Sequence, residues 1–237
     1  MSKPTMVNRS EPASGDCVRC GECCKGGGPA LHEEDADLLR SGVLLAQDLV
    51  TLRAGELASD PEKGELLPLG AEAVKIAPSP GSGWTCRKFD AQARRCRIYA
   101  NRPVECRVLD CRNASGLLAM YRHGRLTRAD IVGEASPLMD LARALDEACP
   151  PARVREAAFA LRSGGASAAA ELARMLRMDL EIRRLAVERG ADPLFLPLLL
   201  GRPQRDVLKP LGFEVVEGPD GLQLRDRRGR TQAESNG

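Results

Sequence analysis

The chain has 237 residues, with 35 Lys and Arg against 33 Asp and Glu and a formal net charge of +2. That balance supplies no overall attraction to nucleic acid or to acidic membranes, and no familiar nucleic-acid reader motif is present. Hydrophobic residues make up 43% of the chain but aromatics only 3%, so a core is affordable but must rest mainly on Leu, Ala and Val.

Taken in order, residues 1–15 are polar, lack the apolar stretch of a signal peptide, and read as a flexible lead-in. Four cysteines then fall within eight residues, Cys17, Cys20, Cys23 and Cys24, in the pattern C-x2-C-x2-C-C. A C-x2-C turn brings two sulfurs to one side, where both can bind a metal at about 2.3 Å if it is zinc. Gly21 suits such a turn because it has no Cβ. Cys23 and Cys24 are adjacent, and neighbouring side chains diverge in helix and strand alike. That predicts separate ions or separate roles for the two thiols. Residues 25–29 form a glycine-rich loop that reads as chain wrapping over a metal site. They lack the Gly-Lys-Ser/Thr ending of a phosphate loop.

Residues 31–40 begin acidic and stop before Gly42, which predicts a short helix, and a second helix is expected over residues 45–53. Residues 55–83 are rich in Gly and Pro, with short strands expected at 66–67 and 73–76. The second cysteine group follows, comprising Cys86, Cys96, Cys106 and Cys111. Cys86 and Cys96 each precede a large apolar residue and flank a polar stretch at 90–95. This predicts a hairpin with its cysteines side by side. Asn101 is expected to cap a short helix that has Pro103 in its first turn and carries Cys106. Residues 86–112 hold eight Lys and Arg against three Asp and Glu. This local excess reads as compensation for thiolate charge, with an anionic-substrate patch as the sharper alternative.

From residue 137 the texture is helical. Leu138, Leu141, Ala142 and Leu145 share one face, as do Val154, Ala157, Ala158 and Leu161. A longer helix is predicted over 167–189, burying Leu172, Met175, Leu176, Ile182 and Leu185 and ending at Gly190 and Pro193. Residues 213–216 and 222–224 predict a terminal hairpin, and residues 226–237 read as a disordered tail. His32 and His123 lack ligand-like spacing to a cysteine and read as solvated. Cys149 reads as a small buried hydrophobe. No catalytic residue is named, since neither a Ser-His-Asp arrangement nor a paired-carboxylate motif stands out. The longest apolar run, residues 193–200, is too short to span a bilayer. A cytoplasmic location is the default expectation, and there clustered cysteines favour metal or redox chemistry over disulfides.

Cys17-x2-Cys20-x2-Cys23-Cys24, Cys86-x2-Phe89, Cys96-x-Ile98-Tyr99, Arg102-Pro103-x2-Cys106-Arg107 and Cys111 together resemble the CxxCxxCC family of zinc- or iron-chelating proteins, also called YkgJ-type cysteine cluster proteins. The resemblance spans roughly residues 15–112 and includes all eight cysteines. It implies metal chelation, by iron as an ion or an iron–sulfur cluster, or alternatively by zinc. A flagellin lysine N-methylase is similar in its cysteine motif, which suggests an iron–sulfur-dependent modifying or redox enzyme as a second reading. No strand-associated G-x-G-x-x-G accompanies it. A zinc-stabilised module that binds a protein partner is the third reading.

The expected architecture is α+β and mostly helical. A metal-organised cysteine domain with a small hairpin at residues 16–115 is followed by a helical region at 116–225. The eight cysteines of the two groups are expected to form one joint site, with Arg102 and Arg107 at its edge.

Overall fold

The computed structural model describes residue 17, residues 19–218 and residues 221–227. The polar lead-in over 1–15 and residues 228–237 of the polar tail lie outside the described residues. The protein is 44% helical with small antiparallel hairpins, an α+β and mostly helical fold.

The first element is a single helical turn, α1 (Glu22–Lys25), entered from Gly21 at φ 82. A Cβ on Gly21 would lie 2.3 Å from the Phe89 ring, so both the left-handed backbone and the close aromatic exclude a side chain. Residues 31–40 do become helical, as a 3-10 turn Glu33–Asp35 running into α2 (Ala36–Arg40). The helix expected over 45–53 does not form. A 3-10 turn Ala46–Asp48 gives way to β1 (Leu49–Leu52), in which all four residues are buried. Burial on both faces removes the apolar–polar alternation that marks a strand in sequence.

The hairpin of β2 (Leu57–Ser59) and β3 (Leu66–Pro68) leads to β4 (Ala73–Ile76), which returns antiparallel to β1 with Leu49 opposite Ile76 and Leu52 opposite Ala73. Both strands expected in this stretch are present; β2 is an addition. A second tight hairpin joins β5 (Phe89–Asp90) and β6 (Arg95–Cys96). Its register sets Cys96 opposite Phe89, so Cys86 does not face Cys96 across it. Cys86 bridges Pro78 instead, just ahead of the hairpin. Asn101 does not cap the next helix, because it ends a 3-10 turn, Tyr99–Asn101. Pro103 takes the N-cap position of α3 (Val104–Val108), which carries Cys106. Two further short helices follow, α4 (Ser115–Met120) and α5 (Arg128–Val132), the latter opened by a Thr127–Asp130 capping box.

The remainder comprises α6 (Pro137–Ala148), α7 (Pro151–Arg162), α8 (Ala166–Glu188), α9 (Leu196–Leu200), α10 (Gln204–Leu208) and the terminal hairpin β7 (Phe213–Gly218) with β8 (Gly221–Asp226). Their shared core includes Leu145, Val154, Ala158, Leu172, Met175 and Leu199. The expected apolar faces are close to those observed, with Met139 in the core and Leu138, Leu141 and Leu161 partly buried around it. Cys149 is fully buried there, as expected, and its Sγ donates to the Met175 carbonyl at 3.2 Å.

A second core lies beneath the cysteines and includes Leu31, Leu44, Leu49, Val74, Ile76 and Phe89. Leu198 of α9 belongs to it, so α9 touches both cores. Buried ion pairs reinforce that junction. Glu56 meets Arg53 at 3.3 Å and Arg202 at 2.6 Å, and Arg53 Nη1 also donates to the Cys149 carbonyl at 3.2 Å. Arg128 pairs with Glu72 at 3.0 Å and with Asp146. Among the described residues no helix is long and apolar enough to cross a membrane.

Candidate metal centre

Cys17 and Cys20 precede α1, Cys23 and Cys24 lie on it, Cys96 ends β6, Cys106 sits on α3, and Cys111 follows α3. All nine cysteines are free thiols. The two groups are joined by main chain, since the Cys86 N–H donates to the Cys24 carbonyl at 2.7 Å. Gly28 makes this approach possible. A Cβ there would sit 2.2 Å from the Ile76 carbonyl oxygen, so the glycine loop lies directly on β4.

Cys23 is exposed and Cys24 half-buried against the core beneath, yet their sulfurs are only 4.0 Å apart. This corrects the expectation that adjacent thiols diverge. Their Cα–Cβ bonds leave the helical turn in different directions, but side-chain rotation brings the sulfurs back together. The separation is close to the edge of a tetrahedron with 2.3 Å metal–sulfur bonds, about 3.8 Å.

The electrostatics tie the remaining cysteines to this pair. Burial pushes the Cys106 thiol up, and Cys86, Cys23 and Cys96 push it further. Cys86 is raised by burial and then by Cys96 and Cys23, against donors from the Lys88 and Phe89 backbone. Cys111 is raised by burial and then by Cys23, Cys20 and Cys17. The Cys24 thiol beside it holds Cys23 down to about 6, with help from Arg102, while Cys24 itself is pushed up. Arg102 and Arg19 both lie over the Tyr99 ring, 3.8 and 4.0 Å from its centre. Arg102 acts on Cys96 as well. Arg107 donates to the Arg102 carbonyl at 3.2 Å.

As they stand, no three His, Cys, Asp or Glu side chains among the described residues close on a metal ion. A set of desolvated thiols that repel one another fits a thiophilic cation, which would favour their deprotonated forms and bring them together.

His32 is not solvated. It is 1% exposed, with Nδ1 2.8 Å from the His123 carbonyl oxygen and Nε2 3.2 Å from Glu105 Oε1. Burial by itself lowers the His32 pKa, but the Glu105 hydrogen bond and charge outweigh it and leave it raised. Glu105 Oε2 accepts the Ala30 N–H at 2.7 Å, and Asp35 accepts the Val104 N–H at 2.8 Å. These contacts brace α3, and with it Cys106, from below. A signal was present in the sequence, because His32 and Asp35 have the spacing of a capping box. His123 is exposed, as expected.

Residues 16–123, somewhat under half of the chain, match the CxxCxxCC family model, described as a "putative zinc- or iron-chelating domain". The match ends before α5, so the helices from α5 onward lie outside it. No curated protein and no solved structure matches the chain.

Proposed function

We propose that the protein is a zinc- or iron-binding protein whose eight cysteines form two neighbouring four-thiolate sites. The observation that carries this reading is the Cys86 N–H to Cys24 carbonyl bond of 2.7 Å, which fixes the second cysteine group against the first. We divide the sulfurs into Cys24, Cys86, Cys96 and Cys106 as one set and Cys17, Cys20, Cys23 and Cys111 as the other. Cys86 and Cys96 act on Cys24, and Cys17 and Cys20 act on Cys111, while Cys23 acts on members of both sets. Cys23 and Cys24, with sulfurs 4.0 Å apart, then stand where the two sites adjoin.

Eight thiolates around two divalent ions leave a formal surplus of four negative charges. The Lys and Arg excess over residues 86–112 offsets it, with Arg102 the cation acting on both Cys23 and Cys96. A reducing, cytoplasmic setting suits free thiols of this density. An iron–sulfur cluster is the second reading, favoured by Cys17-x2-Cys20-x2-Cys23, which matches the first three ligands of a ferredoxin-type run.

Anaerobic purification followed by metal and acid-labile sulfide analysis and visible spectroscopy tests both. Colourless protein with about two zinc ions, or iron without sulfide, supports paired tetrahedral sites. Brown protein with iron and sulfide supports the cluster. Protein that binds neither metal through its thiols overturns the proposal.

A further inference from the structure

A cavity of about 850 Å³ opens beside the cysteine region, between the outer face of the β1–β4 pair, the loop carrying Trp84, Pro197 of α9, and the prolines flanking α10. Its volume lies within the range of about 300–1,000 Å³ typical of small-molecule sites. The sheet supplies an apolar wall through Val50 and Leu52, and it also supplies two cations. Val50 stands opposite Lys75. The antiparallel path then continues past β4, where Pro78 bridges Cys86 and the Arg87 N–H bonds the Ala77 carbonyl. Alternate residues share a face, so Lys75, Ala77 and Arg87 lie on the cavity side. Lys75 and Arg87 are diagonal neighbours, a relationship that spans about 7–8 Å.

The charges at this wall are unbalanced. Two other cations reach the cavity, but Arg202 is held by Glu56 at 2.6 Å and Lys209 by Asp206 at 2.7 Å. Among the described residues neither Lys75 nor Arg87 forms an ion pair. Arg87 Nη1 donates to the Gln47 carbonyl, while its Nε is buried without a partner. The Lys75 side chain makes no hydrogen bond among the described residues. The groups that favour its charge are Glu105, already engaged by His32 and the Ala30 N–H, and the Cys86 and Cys106 thiols, which burial itself pushes up. Burial lowers the Lys75 pKa, the direction expected of an ammonium short of counter-charge.

Apolar walls and two unmatched cations define the ligand by its chemistry. We propose that this cavity binds a small carboxylic acid with an apolar body, its carboxylate seated between Lys75 and Arg87. The buried Arg87 Nε gains an acceptor, and the hydrocarbon covers Val50 and Leu52. Neither Lys75 nor Arg87 is itself a candidate metal ligand, though Arg87 directly follows Cys86 and the Cys86 and Cys106 thiols act on Lys75.

Trp84 lines the cavity and is the only tryptophan in the chain, so its fluorescence reports occupancy directly. Full-length protein is titrated with decanoate below its micelle concentration, and in parallel with decanol as the uncharged counterpart. The expected result is a saturable change with decanoate and at least tenfold weaker binding of decanol. Arg87→Gln and Lys75→Met should each weaken decanoate at least tenfold. No saturable change, equal affinity for decanol, or wild-type decanoate binding by Arg87→Gln overturns the proposal. If Lys75→Met does not fold, the decanoate–decanol comparison on the wild-type protein still decides it.

Discussion

Glu105 reaches His32 Nε2 at 3.2 Å from the position directly before Cys106, so the helix bearing a candidate ligand is anchored to a buried histidine. Both side chains are largely buried, 12% and 1% exposed. Glu105→Ala leaves His32 Nε2 and the Ala30 N–H unmatched in the interior, which should cost about 1–3 kcal/mol for each group left without a partner. Glu105→Gln retains hydrogen-bonding capacity and should cost less. Urea unfolding of the two variants checks the order. Equal stability of Glu105→Ala and wild type would remove the brace from the account.

Cys23 and Cys24 should respond differently to replacement by Ser. In the two-site arrangement each variant loses about one metal equivalent, from a different set of four thiolates. Metal stoichiometry combined with alkylation mapping distinguishes them. Cys24→Ser should expose Cys86, Cys96 and Cys106 to reagent, whereas Cys23→Ser should expose Cys17, Cys20 and Cys111. Identical alkylation maps would argue for a single indivisible centre.

Cys149 should be inert in the folded protein. It is fully buried, and burial holds its thiol at about 11, well above the pH of ordinary labelling reactions. Iodoacetamide at neutral pH should leave Cys149 unmodified until denaturant is added, even after chelators have released the other eight. Mass spectrometry of peptides from native and unfolded samples gives the comparison directly.

Glu56 is fully buried between Arg53 and Arg202. Removing one member of a buried charge network strands the others, at a cost of about 3–5 kcal/mol. Glu56→Ala should therefore lower the unfolding midpoint sharply. Because Arg53 also holds the Cys149 carbonyl and Arg202 follows α9, the same change should raise protease sensitivity around residues 196–204. A surface substitution such as Glu181→Ala, whose partner Arg184 is exposed, should leave the unfolding midpoint nearly unchanged.

Much of the molecule could be read directly from neighbouring residues. The helices from residue 137 onward repeat their apolar residues at 3.6-residue spacing, and α8 stops at Gly190, whose φ of 92 suits glycine. The Cys86–Cys96 neighbourhood contains the expected hairpin because its polar turn is flanked by short apolar segments. Even the match to the CxxCxxCC model was legible, since its motif joins cysteines to Ile98, Tyr99, Arg102 and Pro103 within short spans. Each of these signals depends on residues a few positions apart.

What the sequence left open depends on residues that meet only after folding. Leu49–Leu52 looked helical because both faces of β1 are covered, one of them with help from Leu198, about 150 residues away. His32 looked solvated because its partners, Glu105 and the His123 carbonyl, lie 73 and 91 residues further along. The unmatched cations of the cavity are invisible for the same reason, as only the antiparallel return of β4 and the bridge at Cys86 put Lys75 and Arg87 on one wall. The cysteine spacing by itself determined which sulfurs are available. The tertiary structure decided which of them meet, because loop closure over some sixty residues is directed by the packing of Gly21 on Phe89 and Gly28 on Ile76 rather than by the cysteines.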